Sequence, residues 1–434
     1  MNVNHLIEQQ HSGGTGKLLY AFGQGLQSNQ GELKMNRRDF GKTLVGSAMG
    51  ASLSSLMPGA PLALGQHIPD YGPLKPLTPK KNLKMHVGSD YHVIEGPSIF
   101  SKENLEYNVR FGVKSINPDP DQEAHRGKPH LRDSGGGDFI PTEGPVEGGA
   151  FDLDLLKRMK DSCDAAGIWL EGLRMDSGYI ILKQKSDQDK KIDQISENIR
   201  KAAQVKVSLI SQHWTMIPIR RNGTAPGRGG AVYSTFKLEN DWKSLPAGIA
   251  GHVSYNEYWE RIEYFLKKVI PVCAEYKVAM ANHPYDPPGL PYGYEGVENF
   301  DTPSIYDAYK KYEAIVDSPW NGFQMDLGVI GEGSTNVNKT EPDLVRYLLQ
   351  RGKVKQVHMR NIKGGLNNFQ EVYPDEGVID FFKIMRIFRD EGYEGAFLPD
   401  HMPQHAGDPG KLQAYAFGYG YINALINAAN SEVS

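Results

Sequence analysis

The sequence predicts a closed (β/α)8 TIM barrel in a single domain, on three observations. Eight short apolar runs of strand length alternate with segments whose apolar residues recur at helical spacing. Long loops rich in Gly, Pro and Asn follow the strands, while the helix-to-strand connections are short. His283, Asp326, His358 and Asp400 stand at or near the C-terminal ends of four consecutive runs, on the long-loop side where a barrel of this class builds its active site.

The elements follow in order. A strand is expected over residues 84–89, and a helix from near Ser98 to near Phe111, since Pro97 suits a helix start. The next strands are read at 112–117, 167–173, 205–212, 278–283, 322–327, 354–359 and 395–400. Helical spacing marks 151–166, 189–203, 255–276, 302–316, 341–350, 378–390 and 411–428. The connections Ala166-Gly167, Glu275-Tyr276-Lys277, Arg351-Gly352-Lys353 and Glu391-Gly392-Tyr393-Glu394 are short, as those closing the bottom of a barrel are. The segments 118–149, 218–252, 284–300 and 361–377 are long and belong at the mouth, with 134–138 and 220–230 as candidate lids. An open doubly wound sheet would carry a Gly-rich phosphate turn after its first strand, and Val87-Gly88-Ser89-Asp90-Tyr91 is not one.

The N-terminus reads as an address. Asn36-Arg37-Arg38-Asp39-Phe40-Gly41-Lys42, a short apolar stretch over 43–57 and Ala63-Leu64-Gly65 resemble a twin-arginine signal peptide, which implies export to the periplasm. That stretch is too short and Gly-rich for a spanning helix, so no stable membrane anchor is expected. Residues 1–34 read as an extension upstream of Met35. Accordingly 1–65 are set apart as extension and signal, 66–83 as linker, and 84–430 as the catalytic barrel.

Composition sets the remaining bounds. The chain of 434 residues is 39% hydrophobic and 23% charged, enough for one large core. A net charge of -4 with scattered Lys and Arg excludes a nucleic-acid partner, while a homo-oligomer stays open. Cys163 and Cys273 both fall in helical segments and form no disulfide framework.

The four strand-end residues are the candidate metal ligands. Two imidazoles and two carboxylates without thiolate suit Mn²⁺, Fe²⁺, Zn²⁺ or Co²⁺ better than Ca²⁺ or Mg²⁺. Arg360 shares a strand face with His358, and its planar fork suits a substrate carboxylate. Candidate catalytic groups are His213, Arg360, Glu171 and Tyr285; candidate substrate contacts are Arg360, Trp214 and His401.

His283-Pro284-Tyr285-Asp286-Pro287-Pro288, Gly322-Phe323-Gln324-Met325-Asp326, His358-Met359-Arg360 and Pro399-Asp400-His401 resemble the metal-binding strands of mannonate dehydratases, within the wider xylose-isomerase-like barrel group. The resemblance implies a Mn²⁺- or Fe²⁺-dependent lyase that removes water from a sugar acid, with His283, His358 and Asp400 as ligands and Arg360 near the substrate carboxylate. One departure stands out: the family carries Cys on the sixth strand, where this chain has Asp326. A carboxylate there is what the sugar isomerases and epimerases of the wider group use. A sugar-acid dehydratase is therefore the first expectation and a sugar isomerase or epimerase the second, with a non-catalytic carbohydrate-binding module as the third.

Overall fold

The computed structural model describes residues 72–126, 143–175 and 178–433. The twin-arginine-like segment and the Gly-rich 134–138 loop lie outside them. The barrel strands are β1 (His86–Asp90), β2 (Ser115–Asn117), β3, β4 (Leu209–His213), β5 (Ala279–His283), β6 (Asn321–Asp326), β7 (Val354–Met359) and β8 (Ala396–Pro399). Here β3 is one stretch in two pieces, Trp169–Leu170 and Gly172–Arg174, interrupted at Glu171. Its first piece pairs with β2 and its second with β4, so the ring of parallel strands closes through Glu171.

Helices α1 (Lys102–Arg110), α2 (Leu153–Ala166), α3 (Lys185–Gln204), α4 (Tyr255–Tyr276), α5 (Ile305–Ile315), α6 (Val337–Gln350), α7 (Phe381–Asp390) and α8 (Leu412–Ser431) follow the strands one by one. Their starts are chemical. Ser101, Asp152, Ser254, Ser304 and Asp380 each accept a first-turn backbone N–H, which fixes where each helix enters the outer layer. No helix among the described residues is long and apolar enough to cross a membrane.

Alternation along the strands sets up the site. Leu209, Ala279 and Ala281 cluster inside the barrel, and side chains two residues apart share a side. Ser211 and His213, and likewise His283, therefore stack above them toward the strand C-termini. His213 pairs in register with His283, and His358 with Asp326. The interior thus climbs from small apolar residues to a polar top layer.

Two features depart from the sequence reading. The loops after β4 and β7 carry a four-stranded antiparallel sheet, in the order Asn361–Gly365, Asn368–Val372, Val232–Lys237, Gly223–Pro226. These strands are short and rich in Gly, Thr and Asn, so they carry no alternating apolar signal. The segment expected as a linker is bound along residues 75–82. Lys75 N donates to Gln350 Oε1 at 2.9 Å, and Asn82 exchanges 2.7 Å hydrogen bonds with Asn430 while donating to Tyr393 O.

Asp301, between β5 and α5, is buried beside Tyr285, Phe300 and Tyr309. Burial pushes its carboxyl up to about 7, although Gly289 N donates to it at 3.4 Å. Because the folded value lies above the unfolded one, the fold holds the proton more tightly, and stability falls as pH rises from about 4 through 7. At about 1.4 kcal/mol per pK unit the full effect is on the order of 4 kcal/mol. Asp301→Asn should therefore be more stable than the parent at pH 8 and flatten the stability profile between pH 5 and 8. Denaturant midpoints across that range check this, and parallel profiles would contradict it.

Candidate metal centre

The C-terminal strand ends bring the four expected ligand residues together. Nε2 of His283 lies 3.4 Å from Asp326 Oδ2, and Nδ1 of His358 lies 3.5 Å from Asp400 Oδ2. The His283 and His358 rings meet edge to face at 5.1 Å. One ligand atom each from His283, Asp326 and His358 fits within a sphere of metal-site size, and so does the set Asp90, His358 and Asp400. All five residues are buried.

Each side chain is aimed by its neighbours. Nδ1 of His283 donates to Pro284 O at 2.7 Å, which leaves the lone pair on Nε2 facing Asp326. Asp326 ends β6 and caps the short helix Leu327–Glu332, its Oδ1 accepting from Val329 N at 2.9 Å. His92 holds Asp90 through Nδ1 at 2.7 Å and stands 3.4 Å from Asp400.

The donor set fits a divalent cation. Neither ring nitrogen of the buried His358 makes a hydrogen bond among the described residues, although carboxylate oxygens stand 3.5 Å from both. Oδ1 of Asp400 likewise makes no hydrogen bond among the described residues, with His92 Nδ1 3.4 Å away. Buried polar atoms left in this way are costly unless something else satisfies them, and two imidazoles facing carboxylates are the donors a divalent transition metal takes.

Beside the ligands lies a buried charge network. Arg360 donates from Nη1 to Glu332 at 2.6 Å and Glu371 at 2.8 Å, and from Nη2 to Asp286 and Asp326, both at 3.1 Å. Gly328 makes room for it, since a Cβ there would meet Arg360 Nε at 2.9 Å. Arg221, just before the outer sheet, bonds Asp286 at 2.7 Å and Glu371 at 2.8 Å. Burial alone would raise the Asp326 carboxyl, but Arg360 and His283 outweigh it and hold it at about 2. Burial drives Glu332 well up instead, despite Arg360, with Asp286 and Glu371 adding to the rise.

The two remaining histidines are pushed in opposite directions. Burial, then His283 and Arg174, hold His213 well below its ordinary value, so it is neutral. It stacks on His283, with centroids 4.0 Å apart. Burial also lowers His401, but Asp400 and Glu371 outweigh it and the net direction is up. Nδ1 of His401 lies 2.6 Å from Glu371.

Four sequence assignments need correction. Arg360 is not open to a substrate carboxylate, because four protein carboxylates take its Nη donors. Glu171 is not at the mouth: it bonds Ser115 Oγ at 2.5 Å and approaches His86 at 3.3 Å, beside the first residues of β1 and β2. Trp214 packs on Phe265 and Tyr179 in the hydrophobic core and does not line the site. Tyr285 gives its hydroxyl to Ile217 O at 3.1 Å and sets its ring against Phe300. Conversely, Asp90, His92, Glu332, Glu371 and Arg221 belong to the site without having been singled out. Asp90 was discoverable, since it ends an apolar strand as the other ligand candidates do, and His92 follows two residues on.

Comparison with known proteins adds an independent line. Residues 246–432 match the family model described as D-mannonate dehydratase. A mannonate dehydratase of Thermotoga neapolitana is 35% identical over 311 residues, covering 60% of this chain and 83% of the relative. A Thermotoga petrophila mannonate dehydratase is 27% identical over the same length and coverage. The crystal structure of mannonate dehydratase from Streptococcus suis serotype 2 superposes with a TM-score of 0.62 at 20% identity, over 80% of this chain and 95% of that one. A 3-keto-D-glucoside 4-epimerase from E. coli shares the barrel at TM-score 0.51 and 13% identity, over 79% and 100%.

Proposed function

Because the chain belongs to the mannonate dehydratase family, we propose that the His283, Asp326, His358 and Asp400 cluster is the metal centre at which it acts on its substrate. The chain is a sugar-acid dehydratase, a hydro-lyase. The observation that carries the site assignment is the buried His358 ring between two carboxylates, with no hydrogen bond to either nitrogen.

His283, Asp326, His358 and Asp400 would hold Mn²⁺ or Fe²⁺, with Asp90 adjoining. When bound, such an ion supplies a Lewis acid for substrate oxygens and makes the C–H beside the carboxylate more acidic. The chain's own residues then divide the proton transfers. The base for the C2 proton is His213 once its Nε2 parts from Arg174 Nη1, 3.2 Å away, and the bond electrons become the C2=C3 double bond. His401, whose Nδ1 lies 2.6 Å from Glu371, gives a proton to the C3 hydroxyl, which leaves as water. The enol then tautomerises to a 2-keto-3-deoxy acid. Arg360 does not touch substrate in this scheme; it neutralises the carboxylates that frame the ligands.

The twin-arginine-like segment supports a periplasmic location, where the enzyme would act on breakdown products before uptake. The test of function is a panel of aldonic acids, aldoses and ketoses with Mn²⁺-loaded protein, with products derivatised as 2-keto acids. A 2-keto-3-deoxy acid from an aldonate is the expected result; interconverted sugars with no water lost would move the chain to the isomerase and epimerase reading.

A further inference from the structure

The candidate ligands come from the β5 to β8 half of the mouth, together with Asp90. The other half has its own chemistry. Gly172 and Arg174 lie two apart on β3 and so share a side. That side faces inward, since a Cβ on Gly172 would meet the Leu209 side chain of the interior cluster at 3.2 Å and Asn117 Oδ1 at 2.3 Å. Asn117, the last residue of β2, therefore occupies the space that the missing Cβ leaves. It is 3% exposed, and neither its Oδ1 nor its Nδ2 has a hydrogen-bond partner among the described residues.

Arg174 stands next to it, with its N donating to Pro118 O at 2.9 Å. Its guanidinium lies 4.5 Å over the Tyr91 ring, bonds the Tyr91 hydroxyl, and has Asp119 3.8 Å from Nε. Nη1 is 3.2 Å from Nε2 of His213, whose ring stacks on the ligand residue His283. Arg174 thus reaches the edge of the candidate metal cluster from the β3 side of the mouth.

We propose that Arg174, with Asn117 beside it, receives the carboxylate of the sugar acid. This rests on the sugar-acid reading and assigns the role that Arg360 cannot take. An acyclic acid whose oxygens sit at the ligand cluster has Asp326, Asp400 and Glu371 on one side, which repel its carboxylate. Across the mouth it meets a planar guanidinium fork, the group best matched to a carboxylate, and an amide with a donor and an acceptor to satisfy.

The test is calorimetric titration of the Mn²⁺-loaded full chain with D-mannonate and with D-mannitol, which has the same carbon count and no carboxylate. Arg174→Gln should weaken mannonate binding by roughly 10- to 100-fold, the worth of a charged hydrogen-bonded pair, leaving mannitol affinity and metal stoichiometry unchanged. Arg174→Lys should give an intermediate loss and Asn117→Ala a smaller one, which keeps the proposal open to test if the Gln variant does not fold. Wild-type mannonate affinity in the Gln or Lys variant overturns the assignment and leaves the sugar-acid reading standing. Equal weakening of both ligands also overturns it, by making Arg174 a merely structural residue. A parent protein that binds mannonate no better than mannitol overturns both readings together.

Discussion

His358→Ala should lose its divalent metal and, with it, at least on the order of 10³-fold in turnover, the scale at which removing a principal electrostatic contributor acts. Neither imidazole nitrogen hydrogen-bonds among the described residues, and carboxylates stand at 3.5 Å on both sides. Without an ion these carboxylates favour the protonated ring. Burial lowers His358, but Asp400, Asp90 and Asp326 bring the net direction up. Elemental analysis of the purified variant beside the parent is the check. Full metal content in the variant would remove His358 from the ligand set.

Arg360→Met should cost about 3–5 kcal/mol of stability, because removing one member of a buried ion network strands the others. Arg360 is fully buried and faces Asp286, Asp326, Glu332 and Glu371 through hydrogen bonds of 2.6 to 3.1 Å. The loss should depend on pH in a set direction. Asp326 is held at about 2 and Glu371 well below its usual value, burial being outweighed in each case by cationic neighbours that include Arg360. Depressed carboxylates contribute stability above their unfolded values and lose it as pH falls through the folded ones. The gap between variant and parent should accordingly hold from pH 7 to about 4 and narrow below that, toward pH 2, as read by urea midpoints. A variant of parental stability that had lost only its affinity for acidic ligands would return Arg360 to the substrate.

These two residues also show what the chain discloses on reading. The clustering of the four candidate ligands was legible because each buried strand is a run of apolar residues that ends in an imidazole or a carboxylate, and parallel register brings such ends together. The same alternation separates His213 from Trp214: His213 points inward, so its neighbour Trp214 is sent outward into the helix layer. Glu171 misled because β3 breaks at that residue and runs on to Arg174, one position past the expected end. The role of Arg360 was not legible. Its partners come from a loop after β5, the end of β6, a short helix and an outer sheet strand, and no local pattern announces that they meet. The outer sheet was hidden for a different reason, since short Gly- and Asn-rich strands pair through their backbones and leave no apolar period.

The central claim is that one divalent ion, held by His283, Asp326, His358 and Asp400, is required for dehydration of a sugar acid. Its most direct test is to strip the protein with a chelator, return Mn²⁺ in measured steps, and follow formation of a 2-keto-3-deoxy acid from D-mannonate by proton NMR. The account predicts no product from the stripped protein and a rise that levels off at one equivalent of metal per chain. Product formed at the full rate by metal-free protein, or none at any metal loading, would contradict it.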